Sequence, residues 1–163
     1  LSNTVGGAIF HDGNLLPGDA FRCGEAGHMT LIPDGKPCYC GKTGCVDAYC
    51  SARVLSDLSG GRLEDFFLGL QQNNREYRPV WDTYLKHLAV VINNLHMILD
   101  YDIVLGGYVG SFLTPWLDTI RHLVSERNTF EDDGSFVKLC TYQTGAAAYG
   151  AAMDVMEGFL RTV

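Results

Sequence analysis

Apolar residues recur with helical spacing most clearly between residues 79 and 99. The apolar positions there lie three or four residues apart, and they are Trp81, Leu85, Leu88, Ile92, Leu95 and Leu99. Such spacing places an apolar stripe along one side of a helix. Pro79 suits a first helical turn, where its missing N–H is not needed. The pattern therefore predicts a long amphipathic helix over 79–99.

Shorter stretches with similar periodicity predict four further helices. They cover residues 45–58, 63–70, 115–124 and 146–160. Gly60-Gly61 separates the first two, and the polar stretch 71–78 is expected to be a loop. Most of the chain after residue 45 is therefore predicted to be helical.

Short apolar runs outside these helices predict β-strands. Runs over 4–10 and 14–16 flank His11-Asp12-Gly13, in which Asp-Gly is typical of a tight hairpin turn. Further strands are predicted over 28–32, 102–105 and 136–139. The alternation of strands and helices indicates an α/β domain with a mixed β-sheet flanked by helices.

Length and composition are those of a single globular domain, since 163 residues can bury a sizeable core. The net charge of −7 argues against nucleic-acid binding by this segment itself. No apolar run approaches eighteen residues, and the first residues lack the layout of a signal peptide. We therefore expect a cytoplasmic protein without membrane contact.

Three thiols and one imidazole lie within eighteen residues of one another, and these residues are His28, Cys38, Cys40 and Cys45. A set of three cysteines and one histidine can close a tetrahedral zinc site, and the intervening glycines favour the turns that such a loop needs. The alternative is a disulfide with a spare thiol, although a Cys-x-Cys pair is awkward to bridge. The spacing therefore predicts zinc as the cofactor. Tyr39, between two predicted ligands, is expected to pack on or cap the loop.

Glu25 lies three residues before His28. A carboxylate beside an oriented imidazole can recognise the vicinal hydroxyls of a sugar. In the other interpretation, Glu25 serves only to orient the zinc-binding histidine. The residues alone leave both interpretations open.

The whole run resembles the signature of the ROK family (repressor, open reading frame, kinase). It reads Glu-x-Gly-His, then Cys-x-Cys-Gly ten residues later, then Gly-Cys with an acid two residues after the cysteine. The opening segment 4–10, the Gly106-Gly107 turn and the small residues 150–152 also resemble family segments. The resemblance implies an actin-like, ribonuclease-H-like ATPase fold. It also implies that His28, Cys38, Cys40 and Cys45 bind zinc and that Glu25, His28 and Asp47 contact a sugar.

The resemblance further implies that residues 1–163 form one domain, the C-terminal sugar-binding lobe of a longer protein. The N-terminal lobe and any DNA-binding domain would then precede this segment. Expected partners are a small-molecule sugar or amino sugar and a second copy of the protein in a homodimer. DNA would be contacted only through the domain that is absent here.

Family members are either sugar kinases or sugar-responsive transcriptional regulators, and the glycine-rich segments distinguish the two. By the resemblance, kinases carry Gly-Thr-Gly where this chain has Ser2-Asn3-Thr4, a third glycine where it has Tyr108, and often Ala-Gly where it has Ala146-Ala147. Side chains at such turns obstruct a phosphate. The sequence therefore favours the effector domain of a regulator. The alternatives are the C-terminal lobe of an ATP-dependent glucokinase or N-acetylhexosamine kinase, and a zinc-stabilised dimerisation module without ligand.

Overall fold

A computed structural model describes residues 1–160. The strands are β1 (Ile9–His11), β2 (Asn14–Leu16), β3 (Ile103–Leu105) and β4 (Val137–Leu139). The α-helices are α1 (Asp47–Cys50), α2 (Arg53–Ser56), α3 (Leu63–Gln71), α4 (Tyr77–Leu99), α5 (Gly107–Gly110), α6 (Leu117–Ser125) and α7 (Ala146–Leu160). Single 3-10 turns lie at Ala26–His28, Asp57–Ser59, Thr114–Trp116 and Gln143–Gly145.

The core is built on α4, as the apolar periodicity predicts. The helix begins two residues before Pro79 and ends where Asp100 adopts a left-handed backbone conformation. Its buried side packs against α1, α3 and α6. Trp81 is fully buried, with Tyr84 stacked on it and Phe67 edge-on. The predicted helix over 146–160 is also confirmed, although most of its side chains are exposed.

The strands form two separate pairs within residues 1–160, where one mixed sheet was expected. β1 and β2 form the predicted antiparallel hairpin, with Asp12 and Gly13 at φ 48° and 76°, as a tight primed turn requires. The first strand is shorter than the predicted run over 4–10, since residues 4–8 are not in a strand. β3 and β4 pair in parallel. The α/β class is confirmed. No helix in this part of the chain is long and apolar enough to cross a bilayer.

The strand predicted over 28–32 is wrong, because the backbone N–H groups of Leu31 and Ile32 both donate to the Gly44 carbonyl. Two successive N–H groups that donate to one carbonyl cannot continue into the alternating hydrogen bonds of a β-ladder. Only the bridge between Thr30 and Cys45 forms.

The continuous helix predicted over 45–58 is also wrong. Ser51 adopts an extended conformation between α1 and α2. The N–H of the next residue, Ala52, donates to the Ser2 carbonyl at 2.7 Å, so a distant segment takes the place of a helical partner. The same contact holds the start of the chain beside α2.

Candidate metal centre and sugar site

The structure brings the four predicted zinc residues together. One ligand atom from each of His28, Cys38, Cys40 and Cys45 lies within 4.8 Å of all the others. The Sγ atoms of Cys40 and Cys45 are 3.7 Å apart. Tetrahedral zinc with Zn–S bonds of about 2.3 Å would place two sulfurs about 3.8 Å apart. The donor set and its spacing therefore fit zinc.

A disulfide is not formed among these residues, since every cysteine within residues 1–160 is a free thiol. The loop is folded by its backbone instead. The Cys38 N–H donates to the Lys42 carbonyl at 2.8 Å, and the Gly44 N–H donates to the Lys36 carbonyl at 2.8 Å. Gly41 and Gly44 have φ of 84° and 79°, a backbone conformation that residues with a side chain rarely adopt. These turns fold the two halves of the loop onto one another.

The electrostatics of the thiols also favour a cation. A backbone hydrogen bond from Lys42 lowers the pKa of Cys40. Desolvation, followed by the adjacent thiols, raises the pKa of Cys45 to about 11. Three thiolates so close together repel one another, and a bound dication removes that cost.

His28 ends the 3-10 turn Ala26–His28 and contacts Tyr39, which was expected to pack on or cap the loop. The hydroxyl of Tyr39 lies 3.1 Å from Nε2 of His28, and the two rings meet edge-on at 5.3 Å. Tyr39 is 64% exposed, so it caps the loop from outside through His28 and does not pack into it. Desolvation, followed by the negative charge of Asp47, raises its pKa. The only sequence signal was its place between two predicted ligands.

Asp47 is buried at the start of α1, with 6% exposure. Its Oδ1 accepts a hydrogen bond from the Val5 N–H at 2.6 Å. The Val5 carbonyl in turn lies against Gly27. A Cβ atom at Gly27 would lie only 2.0 Å from the Val5 carbonyl oxygen. One carboxylate oxygen of Asp47 thus anchors the opening segment beside the 3-10 turn that carries His28.

Of the three predicted sugar residues, Asp47 alone lines the cleft beside the metal loop. Asp47 and Tyr39 line a cleft of about 430 Å³, together with Lys36, Cys38 and Arg53. Glu25 is exposed just before the 3-10 turn, outside that cleft. No hydrogen bond or ion pair joins its carboxylate to His28 within residues 1–160.

The two segments predicted to face a phosphate lie side by side. The amino nitrogen of Leu1 donates to the Gly106 carbonyl at 2.8 Å, and the Val109 N–H donates to the Leu1 carbonyl at 3.0 Å. The Tyr108 N–H points to the Ser2 hydroxyl at 3.4 Å. Tyr108 is 50% exposed. Side chains therefore stand at both turns, and the Ser2 hydroxyl takes up a backbone N–H that a phosphate would need.

The chain is similar to curated amino-sugar kinases. An N-acetylmannosamine kinase from Salmonella typhi is 29% identical over 161 residues, covering 94% of this chain and 54% of the relative. Another, from Escherichia coli strain SMS-3-5, is 31% identical over 116 residues, covering 68% and 40%. The chain thus spans about half the length of the curated relatives it matches.

Solved ROK structures have the same fold. A ROK hexokinase from Thermus thermophilus matches with a TM-score of 0.75 and 22% identity, covering 96% of this chain and 56% of that one. A ROK transcriptional regulator described as a homologue of the E. coli Mlc protein matches with a TM-score of 0.68 and 21% identity, covering 85% and 39%. These likenesses confirm the predicted actin-like α/β fold. Since the model of the ROK family matches residues 1–157, this chain belongs to the ROK family.

Proposed function

We propose that this chain is the sugar-binding, zinc-containing effector domain of a ROK transcriptional regulator. Residues 1–163 would be its C-terminal lobe, and the domain that contacts DNA would lie elsewhere in the complete protein. The observation that carries the proposal is a contrast between two sets of residues. The four metal ligands come together and the predicted sugar residues are all present, whereas side chains stand at both phosphate-facing turns.

Zinc would be held by His28, Cys38, Cys40 and Cys45. Four protein ligands leave no open position, so the ion's contribution is to fix the loop and the orientation of the His28 ring. When Nδ1 of this ring binds the metal, Nε2 carries a proton and can donate a hydrogen bond to a ligand. The metal thereby prepares the ring for a sugar hydroxyl.

The sugar would be recognised by His28 together with two carboxylates. Glu25 is exposed and offers two acceptor oxygens to neighbouring hydroxyls. Oδ1 of the buried Asp47 accepts from Val5, and its other oxygen accepts no hydrogen bond within residues 1–160. The class of ligand, a sugar or amino sugar, is supported by relatives named as N-acetylmannosamine kinases and by a ROK glucokinase described in complex with glucose.

A sensor differs from a kinase in lacking phosphate binding. Backbone N–H groups cradle phosphates only where no side chain intervenes. Ser2, Thr4 and Tyr108 place side chains where glycines are expected at the two turns, and the Ser2 hydroxyl engages the Tyr108 N–H. Sugar binding would then close the two lobes and change how two protomers of a cytoplasmic homodimer present their DNA-binding domains.

The second candidate function is the C-terminal lobe of an ATP-dependent sugar kinase. It is favoured by the names of the curated relatives, which are N-acetylmannosamine kinases at 29–31% identity. In that case the catalytic aspartate would lie in the other lobe.

A first test measures sugar affinity in the complete protein. Glu25→Gln is expected to weaken binding by about 1.5–3 kcal/mol, because it removes a charged hydrogen-bond acceptor. Isothermal calorimetry with N-acetylmannosamine, N-acetylglucosamine, glucose and xylose measures it. The matched control is Glu64→Gln on α3, which also alters an exposed carboxylate. Equal affinity in the parent and Glu25→Gln would place the sugar elsewhere.

A second test separates sensor from kinase. The complete protein is expected to bind its sugar without consuming ATP in a coupled assay over the same sugars. It should also release an operator DNA when that sugar is added. Turnover of about 1 per second or faster, which is ordinary for kinases, would establish the enzyme instead.

A further inference from the structure

We propose that Tyr39 is a displaceable gate on the sugar site, which holds the donor nitrogen of His28 until a sugar hydroxyl replaces it. The inference rests on the proposed sugar-binding function and adds a residue that sets the affinity of the site. It begins with the 3.1 Å contact between the Tyr39 hydroxyl and Nε2 of His28.

The contact holds Tyr39 in place without burying it. The ring remains 64% exposed and meets the His28 ring edge-on. An exposed aromatic side chain held by one hydrogen bond and one edge-on ring contact can rotate at modest cost, because no core packing has to be broken. The position of Tyr39 therefore depends on His28, and it can change when His28 finds another partner.

The phenol and a sugar hydroxyl can each accept the same hydrogen bond from His28. With Nδ1 on the metal, Nε2–H donates, and either oxygen can accept. The single Nε2 proton can be donated to only one of these two oxygens at a time. The sugar must therefore displace the Tyr39 hydroxyl, and the observed affinity is lowered by the fraction of molecules in which the gate is closed.

The displaced ring has a place to go. Tyr39 also lines the cleft of about 430 Å³ that contains Asp47, Lys36 and Arg53. Rotation toward that cleft would clear Nε2 while keeping the ring beside the loop. Tyr39 thus links the two parts of the predicted sugar site that are otherwise separate, the His28 end and the Asp47 end.

The test is Tyr39→Phe in the complete, zinc-loaded protein, which keeps the ring and removes the competing oxygen. Sugar affinity is expected to rise about two- to tenfold, the factor that corresponds to one ordinary hydrogen bond. Tyr142→Phe, at a tyrosine of similar exposure, is the matched control and should leave affinity unchanged. Zinc content and thermal stability are measured alongside, because a merely structural Tyr39 would change these and not the affinity.

A second measurement follows the Nε2 proton of His28 by NMR without sugar. Its exchange with solvent should be slow in the parent and faster in Tyr39→Phe, since the hydrogen bond that protects it is gone. Equal exchange rates would overturn the gate.

Glu25→Gln separates a failure of the Tyr39 gate from a failure of the proposed sugar site. If Glu25→Gln weakens binding while Tyr39→Phe leaves it unchanged or weakens it, the gate is wrong and the sugar site stands. If Glu25→Gln has no effect on the affinity, the proposed site itself is wrong and the gate falls with it.

Discussion

Cys40→Ser is expected to remove zinc and to destabilise the complete protein by several kcal/mol. The affinity of a structural zinc site is folding free energy, because no such site exists in the unfolded chain. Cys40 is exposed, so serine leaves no cavity in the core and the loss reports the metal alone. Thermal unfolding and elemental analysis measure the two effects, and the parent should contain one zinc per chain.

The control for this variant is Cys23→Ser, at a partly exposed cysteine outside the cluster. It should retain both zinc and thermal stability. Less than about half a zinc per chain in parent protein prepared without chelator would refute the zinc assignment. So would a Cys40→Ser protein with the metal content of the parent.

Sequence reasoning succeeded where the determining contacts are local. The helix α4 follows from apolar spacing that its own residues satisfy, and the β1–β2 turn follows from Asp12-Gly13. The grouping of His28 with the three cysteines could be predicted for the same reason, since all four lie in one short loop with glycine turns.

Two of the failures involve partners far away in the sequence. The break between α1 and α2 depends on Ala52 donating to Ser2, fifty residues earlier, which no local periodicity records. The anchoring of Val5 by Asp47 is equally distant. The resemblance to the ROK family implied a sugar contact for Asp47, but not that one of its oxygens would be engaged by the backbone.

Gly44→Ala is expected to destabilise the zinc loop by about 3–5 kcal/mol, combining a strained backbone with a steric clash. Gly44 has φ +79°, and a Cβ there would lie 1.9 Å from the carbonyl oxygen of Ile32. The Gly44 carbonyl also accepts both the Leu31 and Ile32 N–H groups, so moving this residue separates the two halves of the loop. Cys45 follows directly, and its displacement should weaken zinc binding as well.

The matched control is Gly41→Ala in the same loop. Gly41 has φ +84° but no atom within 4 Å of an added Cβ, so only backbone strain of about 1–2 kcal/mol is expected. Urea unfolding of the zinc-loaded proteins and competition with a metal chelator measure stability and zinc affinity for each variant. Equal losses at both positions would show that strain alone matters. A markedly larger loss for Gly44→Ala would mean that the close approach of Ile32 to Gly44 holds the metal ligands in position.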